Sequence, residues 1–195
     1  MIYKALEIVK DQVASYLEVV TTTANLVVLE NIAKLDDATV TTMVDKVALT
    51  LINMEEEITL KNKASSYFGG DDPQYKNPPI HLNLYLLFCI NRTNYDQALD
   101  DLSSIIEFFQ GKRLFNNANT VLNPANTALA DVSDFKFTME LYTPTFEQQN
   151  YIWGTLGGKS LPSAMYKLTL AKVDSNAIRG KGTRISNAQN TTLPI

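Results

Sequence analysis

The feature that most constrains the fold is a period-two pattern over residues 80–91, directly after two consecutive prolines. Every second residue from Ile80 to Ile90 is apolar. The intervening positions are mixed and include the only histidine of the chain, His81, and its only cysteine, Cys89. Because successive side chains of a strand point to opposite faces, the pattern predicts a central strand with one face packed against helices. Any chemistry that needs a histidine or a cysteine must lie on the other face.

The composition is that of a folded globular domain. The chain has 195 residues, of which 45% are hydrophobic and 19% are charged, enough to bury a core. It has no apolar run long enough to span a membrane, and charged residues occupy the region where a signal peptide needs an apolar run. A single cysteine excludes an internal disulfide and is typical of a reducing cytoplasm. The sequence therefore predicts a cytoplasmic domain with no membrane partner.

The charge is distributed unevenly along the chain. Residues 175–195 contain Arg179, Lys181 and Arg184 and no acidic residue, whereas residues 1–174 contain 14 basic and 21 acidic residues. Nucleic-acid binding needs a basic face, so the acidic body argues against a nucleic-acid partner. Two interpretations of the tail remain open: a flexible, solvated end, or an extended basic arm that crosses the acidic surface of a neighbouring subunit.

The remaining periodicities predict an α+β fold. Helical spacing predicts a helix over residues 2–20 and a second one that begins after Asn94, with Gln97 completing a capping box, and ends at Gly111. A third helix is predicted from Thr143, with Pro144 at its first position. Strands are predicted at residues 26–32, 47–52, 135–142 and 165–173, and a loop at 61–79. Together they predict one domain, residues 1–174, with a mostly antiparallel sheet and helices packed on one face, followed by the arm, 175–195.

No group of residues in the sequence forms a recognisable catalytic site. Residues 157–160, Gly-Gly-Lys-Ser, resemble the end of a phosphate-binding loop, but the required earlier glycine is replaced by Trp153, and the order of helix and strand is reversed. His81 has no second histidine, and Cys89 lies eight residues along the same strand, about 26 Å away. The acidic runs lack the alternating ligand spacing of a calcium loop. We therefore expect no catalytic residue, no metal and no cofactor.

Two alternatives stay open at this stage. His81, Asn83 and Tyr85 share one face of the predicted strand and would suit a ligand-binding or hydrolytic α+β domain with a polar pocket. Trp153, the only tryptophan, would suit either core packing or an anchor at a subunit contact.

Four segments, taken in order, resemble the N-terminal domain of the cap (terminator-like) proteins of antifeeding-prophage-type contractile injection systems. The first is a strand running into an acidic end, residues 47–57, and the second is the Pro-Pro strand, residues 78–88. The third is the amphipathic helix that follows, and the fourth is the Trp…Leu-Pro-Ser…Tyr segment, residues 153–166. With the first helix, the resemblance covers residues 1–174.

The resemblance implies a structural protein with a tail-terminator-like fold. Proteins of this family form a ring, expected here to be a homohexamer, that closes the distal end of the inner tube and sheath of a phage tail-like particle. The implied partners are further copies of the chain, the tube or tube-terminal protein and the sheath protein. The expected location is the bacterial cytoplasm during assembly and then the particle, released by lysis. The candidate interaction residues are Glu55, Glu56, Glu57, Trp153, Arg179, Lys181 and Arg184.

Overall fold

The computed structural model describes residues 2–37, 39–60, 66–69, 72–77, 79–173 and 178–181. Side chains are described for residues 2–37, 39–59, 77 and 79–169.

The described chain folds into a mixed sheet with helices on both faces. The helices are α1 (Ile2–Thr21), α2 (Tyr95–Gly111) and α3 (Phe146–Thr155). The strands are β1 (Val27–Leu29), β2 (Lys46–Glu56), β3 (Ser66–Gly69), β4 (Asp72–Lys76), β5 (Ile80–Asn91), β6 (Leu114–Asn116), β7 (Lys136–Tyr142), β8 (Ser163–Val173) and β9 (Ile178–Lys181). Short 3₁₀ turns lie at Ile32–Lys34, Ile58–Leu60 and Thr127–Leu129.

Two sheets result from these strands. The larger one has the order β1-β2-β5-β8-β7-β6, and the smaller one has the order β3-β4-β9. β1 pairs with β2 in parallel, and the other pairs are antiparallel. The predicted fold class, α+β with a mostly antiparallel sheet, is confirmed.

β5 lies in the middle of the larger sheet and contributes to two cores. One face buries Leu84, Leu86, Phe88 and Ile90 against α1 and α2. The centre of this core is aromatic: the Phe88 ring lies 5.5 Å from that of Phe109. The alternation predicted from residues 80–91 is therefore confirmed on the face that meets the two long helices.

The opposite face of the sheet has a second, smaller core. Leu87 and Cys89 of β5 pack there with Trp153 of α3 and Met165 of β8. The two long helices lie on one face, as expected. The short α3 covers only part of the other face, and Trp153 is the only large apolar residue that it buries there.

Two helix starts differ from the prediction. Asn94 is the N-cap of α2, but its side chain makes no capping hydrogen bond. α3 begins two residues later than expected, and its N-cap is Thr145 rather than a first-turn proline. The Thr145 hydroxyl accepts a hydrogen bond from the Gln148 N–H at 3.2 Å, and Gln148 Oε1 accepts one from the Thr145 N–H at 3.0 Å. This reciprocal pair satisfies the backbone N–H groups of Thr145 and Gln148. A proline has no N–H and cannot form such a pair from the N-cap position.

The stretch predicted to be a loop, residues 61–79, contains a hairpin. β3 pairs with β4, and β4 pairs on its other side with β9. The loop prediction is therefore wrong for residues 66–69 and 72–76. The third strand of this sheet comes from the basic tail, about a hundred positions further along the chain, and local periodicity does not reveal such a partner.

Candidate functional site

A polar cluster lies where β2 and β5 run beyond the second core. Their antiparallel register places Glu55 opposite Asn83 and Asn53 opposite Tyr85. Asn83 Nδ2 donates a hydrogen bond to Glu57 Oε2 at 2.8 Å, and the Tyr85 hydroxyl donates one to Glu55 Oε2 at 2.9 Å. We call Glu55, Glu57, Asn83 and Tyr85 the β2–β5 polar cluster. It joins two of the predicted acidic residues to the predicted polar face of β5.

Hydrogen bonding fixes the protonation states in this cluster. The pKa of Glu57 is lowered to about 2, first by the hydrogen bond from the Thr59 hydroxyl and then by those from Asn83 and the Thr59 N–H. The pKa of the Tyr85 phenol is raised, chiefly because it donates to the Glu55 carboxylate. The Asn83 side chain is buried, and its Oδ1 has no hydrogen-bond partner among the described residues. A carboxylate held this strongly in its charged form is poorly suited to act as a general base.

We expect Glu57→Gln to lower stability in a pH-dependent way. Glutamine keeps neutral hydrogen-bond acceptors but loses the charge that Thr59 and Asn83 stabilise. Because the folded-state pKa lies below its ordinary value of 4.5, the charge stabilises the wild type above that pH, and this contribution is lost as the pH falls towards 2. Thermal unfolding at several pH values should show the largest difference between the two proteins above pH 4.5.

Glu107→Gln provides the matched control, since Glu107 is an exposed glutamate on α2. A wild type and Glu57→Gln variant that differ equally at neutral pH and near pH 2 would contradict the proposed role of the Glu57 charge.

An open groove lies beside this cluster and was not predicted from the sequence. It has a volume of about 370 Å³ and runs between α3 and the sheet. Tyr85 and Tyr142 form part of its wall, with their rings edge to face at 5.1 Å. Tyr151 lines it from α3 and is 66% exposed, and Phe146 at the start of the same helix is 92% exposed. Exposed aromatic side chains around a shallow groove are typical of a protein-contact surface.

The other predicted interaction residues lie apart. Trp153 is only 6% exposed and packs in the second core, which favours the core-packing interpretation within this chain. Glu56 is exposed and pairs with Leu82, so it alternates to the face opposite Glu55. Arg179 and Lys181 lie on β9, whereas Arg184 lies outside the described residues.

The described residues offer little reactive chemistry. Cys89 is buried, and burial raises the pKa of its thiol to about 12, which makes it a poor nucleophile. Within the described part of the chain, no three His, Cys, Asp or Glu residues are placed to hold a metal ion. The groove is lined by Tyr85 but by neither His81 nor Asn83. The proposed His81–Asn83–Tyr85 pocket therefore has no support. None of the described helices is long and apolar enough to cross a membrane.

Comparisons with known proteins give one family match and two solved structures of similar fold. The family model of the Pvc16 N-terminal domain matches residues 5–187. A solved structure of the PVC sheath/tube terminator of an extracellular contractile injection system, in the extended state, is similar with a TM-score of 0.66 and 14% sequence identity. The match covers 100% of this chain and 64% of that one. No curated protein sequence matches.

A second solved structure is the tube-terminating cap of the anti-feeding prophage. Its TM-score is 0.59 at 13% identity, and the match covers 94% of this chain and 58% of the cap. The present chain thus spans less than two thirds of the length of both proteins. At these identities the similarity shows a shared fold.

Proposed function

The chain belongs to the family of the Pvc16 N-terminal domain, and from that premise we propose that it is a structural cap, or terminator, of a contractile injection system. The observation that supports the proposal most strongly is the family match over residues 5–187. The two similar structures, a sheath/tube terminator and a tube-terminating cap, support the same role. The proposed function is non-enzymatic.

We further propose that copies of the chain form a ring, a homohexamer, at the distal end of the inner tube and sheath. The partners would be the tube or tube-terminal protein and the sheath protein. Assembly would take place in the bacterial cytoplasm, and the chain would leave the cell as part of the particle after lysis. The groove beside α3 supports this assignment, because Tyr151 in its lining and Phe146 at the start of the same helix are exposed aromatic residues that offer a surface for a protein partner.

The direct test is to locate the chain on the particle. Particles assembled with an epitope-tagged chain should carry the label at one end, the distal one, when imaged by negative-stain electron microscopy with gold-conjugated antibody. Particles from cells that lack the chain should have open or irregular distal ends. Label along the sheath, label at both ends, or unaltered ends without the chain would contradict the cap function.

The basic arm gives a second prediction. Two deletions separate its parts: removal of 176–195 takes away β9 and the rest of the tail, and removal of 182–195 leaves β9 paired with β4. We expect both deletions to abolish attachment to the sheath while residues 1–173 stay folded. An arm that adds to a neighbouring subunit binds through its main chain, and each deletion removes that main chain. Co-sedimentation with sheath-containing particles measures attachment, and circular dichroism measures folding.

The matched control removes the positive charges of the tail without deleting any residue. A variant with Arg179, Lys181 and Arg184 changed to glutamine keeps the length of the tail. If this variant attaches normally, the arm acts through its backbone rather than its charge. Undiminished attachment of both deletions would overturn the role of the arm.

A further inference from the structure

Each side of the larger sheet is only half covered by its outermost strand. β1 pairs with residues 47–49 of β2, and residues 51–56 have no strand beside them on that side within the described chain. β6 pairs with residues 136–138 of β7, and residues 140–142 likewise have no described neighbour there. We call residues 51–56 the β2 half-edge and residues 140–142 the β7 half-edge.

The direction in which the backbone groups of the β2 half-edge point follows from two hydrogen bonds near the ends of β2. The Val47 N–H donates away from β5, to the Leu26 C=O, whereas the Glu57 N–H donates towards β5, to the His81 C=O. Directions alternate along a strand and shift once at the one-residue bulge in the middle of β2. The N–H and C=O of Met54 therefore point away from β5, towards the side on which no described strand pairs with this part of β2.

The β7 half-edge has the same character. The Met139 N–H donates to the Arg113 C=O, away from β8. Leu141, two residues further on, presents its N–H and C=O in the same direction, and its side chain is 56% exposed. An open row of backbone donors and acceptors is a template for pairing with another strand.

Apolar grooves flank both half-edges. A groove of about 390 Å³ lies beside the β2 half-edge and is lined by Leu6, Leu29 and Leu51 among others. One of about 360 Å³ lies beside the β7 half-edge, between α2 and the sheet. Its apolar lining residues are Ile106, Phe109, Met139, Leu141 and Tyr166. A strand added at either edge would bury apolar surface as well as backbone.

The charges favour contact between unlike half-edges. The β2 half-edge carries the exposed acidic residues Glu55 and Glu56, so pairing two β2 half-edges would bring like charges together. The β7 half-edge lies beside the exposed Arg113, which makes no ion pair among the described residues. Its one acidic residue, Glu140, faces Lys167 across the β7–β8 pair.

We propose that the chain associates head to tail with itself, the β2 half-edge of one copy pairing with the β7 half-edge of the next. The half-edges lie on opposite sides of the sheet, because β2 pairs with one side of β5 and β7 pairs with β8 on the other side. Such a contact is heterologous, and a heterologous contact builds a ring when the rotation between successive copies closes. The inference deepens the proposed function, since it names the surfaces that build the ring.

The test blocks each half-edge separately. Met54→Pro and Leu141→Pro each remove one outward N–H, at positions where a proline leaves the bonds to β5 or β8 intact. Met54→Lys and Leu141→Glu each place at the edge a charge of the same sign as that of the proposed partner edge, and they provide the test if a proline variant fails to fold by circular dichroism. Val19→Lys is the control, because Val19 is 81% exposed on α1 and lies on neither half-edge.

Oligomeric mass, measured by sedimentation velocity and native mass spectrometry, gives the readout. We expect a closed ring for the wild type and for Val19→Lys, and monomers for each edge variant alone. An equimolar mixture of a β2-edge and a β7-edge variant should give only heterodimers, because one intact half-edge remains on each protein. Edge variants that still form rings, homodimers of the Leu141 variant through its β2 half-edge, or a wild type that is monomeric at its solubility limit would overturn the inference.

Failure of this inference and failure of the cap function can be told apart. Rings that persist in the edge variants would refute the interface, while gold labelling at the distal end of the particle would still support the cap. Rings that dissolve as expected, on a chain that does not label particle ends, would support the interface and refute the cap.

Discussion

Phe88→Ala is expected to lower the free energy of unfolding by about 3–5 kcal/mol, the usual cost of truncating a buried aromatic residue. Phe88 lies on the central strand with no exposed surface. Its ring lies 5.5 Å from that of Phe109 on α2 and 5.8 Å from that of Tyr166 on β8. The cavity left by its removal would therefore open between the sheet and a long helix, where neither side can collapse without breaking strand pairing.

Thermal and urea unfolding measure this effect. For a chain of this length the melting temperature should fall by about 6–20 °C. Trp153 is the only tryptophan, and its position in the second core makes its fluorescence a reporter of the opposite face. Loss of the fluorescence and the circular dichroism signals at one midpoint would show that both cores unfold together.

Phe146→Ala is the matched control for Phe88→Ala. The same atoms are removed, but Phe146 is 92% exposed, so the change should stay within about 0.5 kcal/mol of the wild type. A Phe88→Ala variant as stable as Phe146→Ala would show that the central strand does not organise the core as described.

The sequence alone predicted the central strand and the face that packs against the long helices, but not the second core on its other face. The pattern at residues 80–91 was sufficient because a uniformly apolar face alternates with a mixed one along a strand. The two long helices were predicted for the same reason, since each buries a continuous apolar stripe. The family resemblance, drawn from four segments, was confirmed by the match over residues 5–187.

The half-covered edges and the small sheet could not be predicted in this way. β6 has only three residues, too few for a period to show, and β1 occupies only residues 27–29 of the strand predicted over 26–32. β9 pairs with a hairpin about a hundred residues earlier. The capping hydrogen bonds depend on side-chain geometry: Asn94 has a suitable residue type but makes no such bond, whereas Thr145 makes two.

The candidate site depends on long-range register. The Glu57–Asn83 hydrogen bond joins residues 26 positions apart, and the groove beside α3 combines β2, β5, β7, α3 and β8. The sequence shows the acidic residues and the polar face of the strand. It does not show that Glu57 and Glu55 accept the hydrogen bonds that Asn83 and Tyr85 donate. Only the folded register shows that the polar face of β5 is occupied by structural contacts.

Arg92→Met is expected to cost about 3–5 kcal/mol, because it leaves the buried Asp101 carboxylate without its cation. Arg92 follows β5, and its Nε lies 2.8 Å from Asp101 Oδ2 on α2, with both side chains almost fully buried. Its Nη1 also contacts Asp45 Oδ2 at 3.2 Å, but the Asp45 side chain is 48% exposed. The buried contact, which ties the central strand to α2, should account for most of the effect.

Two further variants separate the pair from its surroundings. Asp45→Asn keeps a side chain that tolerates the positive φ of this position and should cost far less stability than Arg92→Met, because exposed ion pairs contribute little. The double variant Arg92→Met/Asp101→Leu removes both charges and should recover most of the stability lost in Arg92→Met. A double variant as unstable as the single one would show that Arg92 acts through packing rather than charge.

The pH dependence of the stability of Arg92→Met gives an independent check that the buried Asp101 charge destabilises this variant. Burial already raises the pKa of Asp101 above its ordinary value of 3.8, although Arg92 lowers it, and removal of Arg92 should raise it further. A carboxyl group whose pKa is higher in the folded state binds its proton more tightly there, so the free energy of unfolding should rise as the pH falls through the folded pKa towards 3.8. Arg92→Met should therefore recover stability relative to Arg92→Met/Asp101→Leu on acidification. A gap between these two variants that is constant with pH would show that Asp101 is not the buried charge that destabilises the single variant.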